Sequence, residues 1–250
     1  MSLFRKKPPE DPVSGAYAFV GIDIHNHLLP GIDDGSPETA LSIQYIRKLT
    51  ELGFSSWICT PHILPGVHNN TSDTIQDAHG RLSQAIAQQE ITAPLHAAAE
   101  YMLDTEMFTG IREKSLLTLK DSYVLIEMSY LNAPPNLDEL LFELLINDYK
   151  PVLAHPERYN FYRNDMYHLE QLRDRGCLFQ ANLLSFSGYY GKSVKDIAMY
   201  LLKNQLLDLV GTDLHHEKHL LALQQMSSDR KTMGLLQDYG FKNLELFGER

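Results

Sequence analysis

The sequence predicts an α/β fold in which parallel strands, each followed by a helix, close into a single barrel. Three observations predict it. Short apolar, strand-like runs alternate with helix-length amphipathic segments seven times over, which is the pattern of a parallel sheet. No linker-like composition interrupts the alternation, so one barrel explains 250 residues better than two domains. Histidines and carboxylates fall at consecutive strand ends, the face on which such barrels place their active sites. An open doubly wound sheet is the alternative, but no glycine-rich phosphate loop supports it.

Residues 1–15 (MSLFRKKPPEDPVSG) read as a flexible, proline-rich tail, and residues 16–250 as one domain. Arg5, Lys6 and Lys7 are too few to anchor a chain on a membrane surface by themselves. Ala18–Ile24 is the first strand, ending at His25. Pro37–Leu52 is a helix, with apolar residues at helical spacing (Ala40, Leu41, Ile43, Tyr45, Ile46, Leu49, Leu52) and Gly53 as its stop. Phe54–Cys59 is the second strand, followed by a loop and a helix over Thr74–Gln89. Pro94–Ala99 precedes a helix at Thr105–Lys114, and Tyr123–Met128 one at Leu137–Asp148. Pro151–Ala154 precedes a helix at Met166–Arg175, and Leu178–Asn182 one at Ser193–Asn204. Leu207–Gly211 is the seventh strand, with a helical pattern from His216 onward.

Composition narrows the classes of function. At 44% hydrophobic and 22% charged residues the chain is an ordinary soluble protein, with no run resembling a membrane span or a secretory signal. Two cysteines, Cys59 and Cys177, make no disulfide framework, so a cytoplasmic location is expected. A net charge of −10 argues against a nucleic-acid partner. An anionic substrate stays compatible if metal ions supply local positive charge.

The chemistry lies after the strands. His25 and His27 close the first, His62 follows the second, Glu100 ends the third, Glu127 the fourth and His155 the fifth, while Asp213 and His215 follow the seventh. Neutral imidazoles and carboxylates are the ligands that zinc, manganese and iron prefer. Strand alternation puts Asp23, His25 and His27 on one face and Ile22 and Ile24 on the other. It groups Gly211, Asp213 and His215 as well, if the extended backbone continues that far. One of Asp33 and Asp34, in Pro30-Gly-Ile-Asp-Asp-Gly35, is a plausible extra ligand, although the pair also suits a simple turn. Arg158, three residues beyond His155, is placed to clamp a phosphate. His68, His79, His96, His168, His216 and His219 lie in loops or helical patterns and read as structural or exposed. The loop Leu64–Asp73 is either a mobile rim over the site or a connector. Neither cysteine has an arginine at the Cys-x5-Arg spacing of a thiolate phosphatase, because Pro65 and Leu183 stand there, and no Gly-x-Ser-x-Gly occurs.

As an ordered set, His25-Asn-His27, Asp33-Asp-Gly35, Thr60-Pro-His62, Glu100, Glu127, His155-Pro-Glu-Arg158 and Asp213-Leu-His215 resemble the PHP (polymerase and histidinol phosphatase) superfamily. Within it they most resemble the bacterial metal-dependent protein-tyrosine phosphatases of capsular and extracellular polysaccharide systems. The resemblance covers about residues 20 to 220 and implies a distorted TIM-like (βα)7 barrel with three divalent metal ions, usually manganese, with iron or zinc as alternatives. It implies that His25, His27, Glu100 and Asp213 hold one metal, and that Glu100 bridges to a second, bound also by Glu127 and His155. It gives the third to His62, His215 and Asp34 or Asp33, and the phosphoryl group to Arg158. The implied substrate is the phosphotyrosine tail of a bacterial tyrosine kinase, through which the enzyme would reach the membrane only peripherally. The expected reaction is direct hydrolysis, in which metal-activated hydroxide attacks phosphorus in line and His215 can assist the leaving oxygen. A histidinol-phosphatase-like enzyme for small metabolites, an amidohydrolase-type enzyme and a non-catalytic module with the same fold are the alternatives.

Overall fold

Seven parallel rails of extended backbone stand side by side in the computed structural model, which describes residues 11–248. The strands are β1 (Ile22–Asp23), β2 (Ser56–Cys59), β3 (His62–Ile63), β4 (Leu95–Ala97), β5 (Glu100–Met102), β6 (Tyr123–Glu127), β7 (Lys150–Ala154), β8 (Leu178–Asn182) and β9 (Leu209–Gly211). They form two parallel sheets, β1-β2-β4 and β3-β5-β6-β7-β8-β9. The sheets are continuous with one another, because β2 and β3 are two halves of one rail and β4 and β5 two halves of the next. Across the breaks, Ala98 N donates to Cys59 O (2.8 Å) and Glu100 N to Pro61 O (3.0 Å). The last rail meets the first through Asp213 N to His25 O (2.7 Å) and His27 N to Leu214 O (3.1 Å). Backbone hydrogen bonds therefore run right round the ring.

An inner core confirms the closure. Ile22, Ile24, Ile58, Ala98, Leu125, Val152 and Leu209 form one buried cluster, with Leu178 packed against it. Every rail contributes to it, and side chains from all seven can meet only inside the ring. The N-terminal end of this core is stoppered by Phe247, whose ring meets Tyr123 edge-on at 5.4 Å. Phe247 belongs to the last helix, α10 (Asn243–Phe247). The fully buried Asn243 sews the seam there, donating to Ile22 O (3.0 Å) and Val210 O (2.8 Å) and accepting from Val210 N (3.1 Å).

A second, larger core lies between the rails and the outer helices. Those helices are α1 (Thr39–Leu52), α2 (Ser72–Gln88), α3 (Met107–Arg112), α4 (Leu137–Ile146), α5 (Met166–Asp174), α6 (Leu183–Ser187), α7 (Lys192–Lys203), α8 (Glu217–Ser227) and α9 (Arg230–Gln237). Gly53 stops α1 with φ +112°, and a reciprocal Thr71–Thr74 capping box opens α2. Among the described residues no helix is long and apolar enough to cross a membrane.

The first strand departs from expectation. Only Ile22–Asp23 is extended, while residues 14–20 form turns with Tyr17 and Val20 fully buried. Gly15 and Gly21 take φ +72° and +66°, which an extended strand does not allow, and Gly15 N is tied to Glu51 O at 3.0 Å. Of the expected tail, residues 1–10, including Arg5, Lys6 and Lys7, lie outside the described residues. Residues 11–15 touch the barrel, Val13 N donating to Ser227 Oγ at 2.9 Å.

Candidate metal centre

All the strand-end histidines and carboxylates singled out above converge at the C-terminal mouth of the ring. Four overlapping groups bring ligand atoms within 4.8 Å of one another: His27, Asp34, His62 and His215; His25, Glu100 and His155; His25, His27 and Asp213; and His62, Glu100 and Glu127. Glu100 sits at the middle, its Oε2 lying 3.2 Å from His25 Nε2, 3.5 Å from His27 Nε2 and 3.1 Å from His62 Nδ1, and its Oε1 3.0 Å from His155 Nε2. Glu127 Oε1 is 3.0 Å from His62 Nδ1, and Glu127 and His155 fall in two overlapping groups that share Glu100.

The two aspartates of the turn divide their work. Asp33 is buried, its Oδ2 accepting from His27 Nδ1 (2.8 Å) and His62 N (3.2 Å) and its Oδ1 from Gly35 N (3.0 Å). Gly35 is required there, because a Cβ would stand 2.4 Å from His27 Cβ. Asp34 is the one that reaches the cluster, its Oδ1 lying 3.6 Å from His62 Nε2 and 3.5 Å from His215 Nε2. Its side chain is 61% exposed, so the centre opens to solvent on this side.

Simple alternation does not explain these placements. Ile22 and Ile24 point into the ring, so a straight strand would send His25 and His27 outward. They reach the centre because the backbone leaves the extended conformation after Asp23 and bends at His25. Asp23 does not share their site; it accepts from Thr212 Oγ1 (2.6 Å) and Thr212 N (2.9 Å). The seventh rail likewise stops at Gly211, and Asp213 takes φ +49°. His155 takes φ +36° at the end of β7. Left-handed non-glycine residues cost about 1–3 kcal/mol each, and two of the seven among the described residues, His155 and Asp213, lie at this mouth.

The cluster suits cations. His25 Nε2, His27 Nε2, His62 Nδ1 and Glu100 Oε2 are buried without a hydrogen-bond partner, although they lie close together. Buried polar atoms are normally paired. Atoms that crowd one another without hydrogen-bond alignment are what a shared cation would satisfy, and imidazole with carboxylate is a fitting donor set. The protonation behaviour agrees. Burial works against an imidazolium at His62, yet the Glu100 charge outweighs it and pushes the group up to about 10. Burial likewise disfavours charge on Glu100 and Asp213, but the histidines facing them hold both carboxyls well below the usual range. His215 is pulled down to about 4 by burial and by the neighbouring His27.

Above the cluster lies a cavity of about 730 Å3. Arg158 lines it, with its guanidinium held between the rings of Tyr130 (4.7 Å) and Tyr190 (4.6 Å) and Nη1 donating to Asp213 Oδ2 (2.9 Å). Leu64, Val67 and His68 line the same cavity, so part of the Leu64–Asp73 loop forms its rim. His68, His216 and His219, expected to be structural or exposed, line the cavity, and His216 is exposed there. His68 Nε2 lies 3.7 Å from Asp34 Oδ1, and His219 Nδ1 accepts from His215 N (3.3 Å). No spacing signal marks them, because α8 and the turn after β3 bring them to the mouth. Both cysteines are buried, and burial pushes the Cys177 thiol up to about 12.

Comparison with known proteins shows what the chain is similar to. The family model described as capsular polysaccharide synthesis, CpsB/CapC, matches residues 21–227. The chain is 32% identical over 200 residues to the tyrosine-protein phosphatase YwqE of Bacillus subtilis (strain 168), covering 79% of this chain and 78% of that one. It is 26% identical over 201 residues to the tyrosine-protein phosphatase CpsB of Streptococcus pneumoniae, covering 78% and 83%. Among solved structures, it superposes with a TM-score of 0.77 and 28% identity on one reported with YwqE from Bacillus subtilis and CpsB from Streptococcus pneumoniae as unique metal-dependent tyrosine phosphatases. That match covers 92% of this chain and 88% of the other.

Proposed function

The chain belongs to the CpsB/CapC family of capsular polysaccharide synthesis, and from that membership and the geometry of its barrel mouth we propose that it is a metal-dependent protein-tyrosine phosphatase. One observation carries the reading: buried, unpaired ligand atoms of His25, His27, His62 and Glu100 gather beside the cavity that Arg158 lines. The substrate is phosphotyrosine on the tail of a bacterial tyrosine kinase that governs polysaccharide synthesis, met in the cytoplasm. The exposed Asp34 supports a polypeptide substrate, because the centre lies at the surface, within reach of a tyrosine on a chain.

His25, His27, Glu100 and Asp213 would hold one divalent ion, Glu100, Glu127 and His155 a second, and His62, His215 and Asp34 a third, with manganese the favoured metal. Such ions supply Lewis acidity, acidifying water and drawing charge from a phosphoryl group. Arg158 binds the phosphoryl oxygens. Two aromatic faces and Asp213 fix its plane, so little freedom is lost when substrate arrives. Asp33 accepts a hydrogen bond from His27 Nδ1, which keeps the proton on that nitrogen and leaves Nε2 bare toward the centre. His215, pulled down to about 4, is a neutral imidazole near neutral pH, suited to ligation and poorly suited to donating a proton. A tyrosyl oxygen, with a pKa of about 10, leaves readily enough without it.

The test is hydrolysis of a phosphotyrosine peptide beside a phosphoserine peptide and histidinol phosphate, before and after metal is stripped and manganese restored. Metal-dependent turnover selective for phosphotyrosine is expected. Turnover of histidinol phosphate alone would overturn the protein-substrate reading, and no turnover with metal bound would overturn the phosphatase reading.

A further inference from the structure

β8 is the one rail that brings no ligand to the mouth, yet it ends beneath the cluster with two buried amides, Gln180 and Asn182, two residues apart and both fully buried. They form a chain of hydrogen bonds whose direction one end dictates. Asp213 Oδ2 is ion-paired with Arg158 Nη1 at 2.9 Å and, as a carboxylate, can only accept. Asn182 must therefore turn its amide nitrogen to Asp213, and Nδ2 lies 2.6 Å from Oδ2. That leaves Asn182 Oδ1 as the acceptor for Gln180 Nε2, at 3.1 Å. Gln180 then has only its oxygen left for His25, and Oε1 lies 2.6 Å from Nδ1. An oxygen facing Nδ1 requires the proton to sit on that nitrogen, so the neutral imidazole of His25 keeps a bare Nε2 on the Glu100 side. Gly211 makes the contact possible, because a Cβ there would lie 2.6 Å from His25 Cβ and 3.1 Å from Gln180 Nε2.

We propose that Gln180 and Asn182 are positioning residues of the metal centre. Together they set the tautomer of His25 and orient Asp213, so that two of the four ligands proposed for one ion are held from a rail that supplies none itself. This rests on the reading of His25 and Asp213 as metal ligands. The relay also couples the ion to the phosphate clamp, since Asp213 turns Oδ1 to His25 and His27 (3.4 Å each) and Oδ2 to Asn182 and Arg158.

The experiment is calorimetric titration of manganese into the metal-stripped full chain, for wild type, Gln180→Leu, Gln180→Glu, Asn182→Leu and His25→Ala. Thermal melts check that each variant folds. Outer partners of metal ligands are typically worth about 10–100-fold in affinity, and a loss of that size is expected for Gln180→Leu and Asn182→Leu. Gln180→Glu keeps an acceptor against Nδ1 and is expected to recover part of the loss, which mere packing would not give. If Gln180→Leu fails to fold, 15N NMR of the wild-type histidines in the zinc-loaded chain decides instead. A proton on His25 Nδ1 with Nε2 ligated supports the relay, and ligation through Nδ1 overturns it. Wild-type affinity in Gln180→Leu and Asn182→Leu, with His25→Ala weakened, overturns the relay and leaves the ligand reading standing. Wild-type affinity in His25→Ala overturns both.

Discussion

Arg158 lies between Tyr130 and Tyr190, a slot that a planar guanidinium fills and an ammonium does not. Arg158→Ala is expected to lower kcat on a phosphotyrosine peptide by roughly 10²–10³-fold, the usual cost of removing one transition-state donor. Arg158→Lys is expected to recover little of it; full recovery would mean that charge alone, without the fork, does the work. His62 gives a second test. Pushed up to about 10, it is an imidazolium at neutral pH, whereas a ligand must be neutral. Metal uptake is therefore expected to release protons and to tighten as pH rises from 6 to 8. Titrations in two buffers of different ionisation enthalpy measure that release, and equal apparent heats would contradict it. The residues that bear charge were legible in the sequence because His, Asp and Glu at strand ends are rare without a reason. Gln180 and Asn182 were not, because amides alternating along a strand look like any polar pattern until the partner across the ring is known.

The centre depends on where the rails stop being regular. β2 gives way to β3 at Thr60-Pro61 and β4 to β5 at Ala98-Ala99, and His62 and Glu100 begin the resumed halves, paired in register. The alternating pattern located the strands but not these breaks, which depend on neighbours across the ring. The same limit hid the bend at His25, since periodicity assumes that a strand continues. Gly211 tests the view that close packing of β9 on the first rail sets the ligand geometry. Gly211→Ala is expected to push His25 aside and weaken manganese binding by about 10-fold, the low end of the range for a displaced ligand support. Calorimetry would show it, and unchanged affinity would mean that the seam tolerates a methyl group.

Lys242 and Asn243, where α10 begins, fasten the seam of the ring, a role that composition gave no hint of. Asp208 is the latch. It is buried, accepts from Phe179 N (3.2 Å) and Lys242 Nζ (2.9 Å), and pairs with Arg173 of α5. Burial alone would raise its carboxyl, but the Arg173 and Lys242 bonds outweigh that and hold it below the usual value. A depressed carboxyl stabilises the fold above its unfolded pKa, about 3.9, and the benefit is lost as pH falls through the lower folded value. Asp208→Asn is therefore expected to cost about 2 kcal/mol at pH 7, in the range for bonds to charged groups, and progressively less below about pH 4. Urea denaturation at pH 7 and pH 3 checks it, and a gap that did not narrow at low pH would contradict the assignment.

Anomalous diffraction from crystals grown with manganese shows whether the mouth of the ring is a metal centre. Anomalous peaks are expected among His25, His27, His62, Glu100, Glu127, His155, Asp213, His215 and Asp34, with phosphotyrosine hydrolysis rising as those positions fill. A mouth without anomalous signal, in a chain that still hydrolyses phosphotyrosine after chelation, would contradict it.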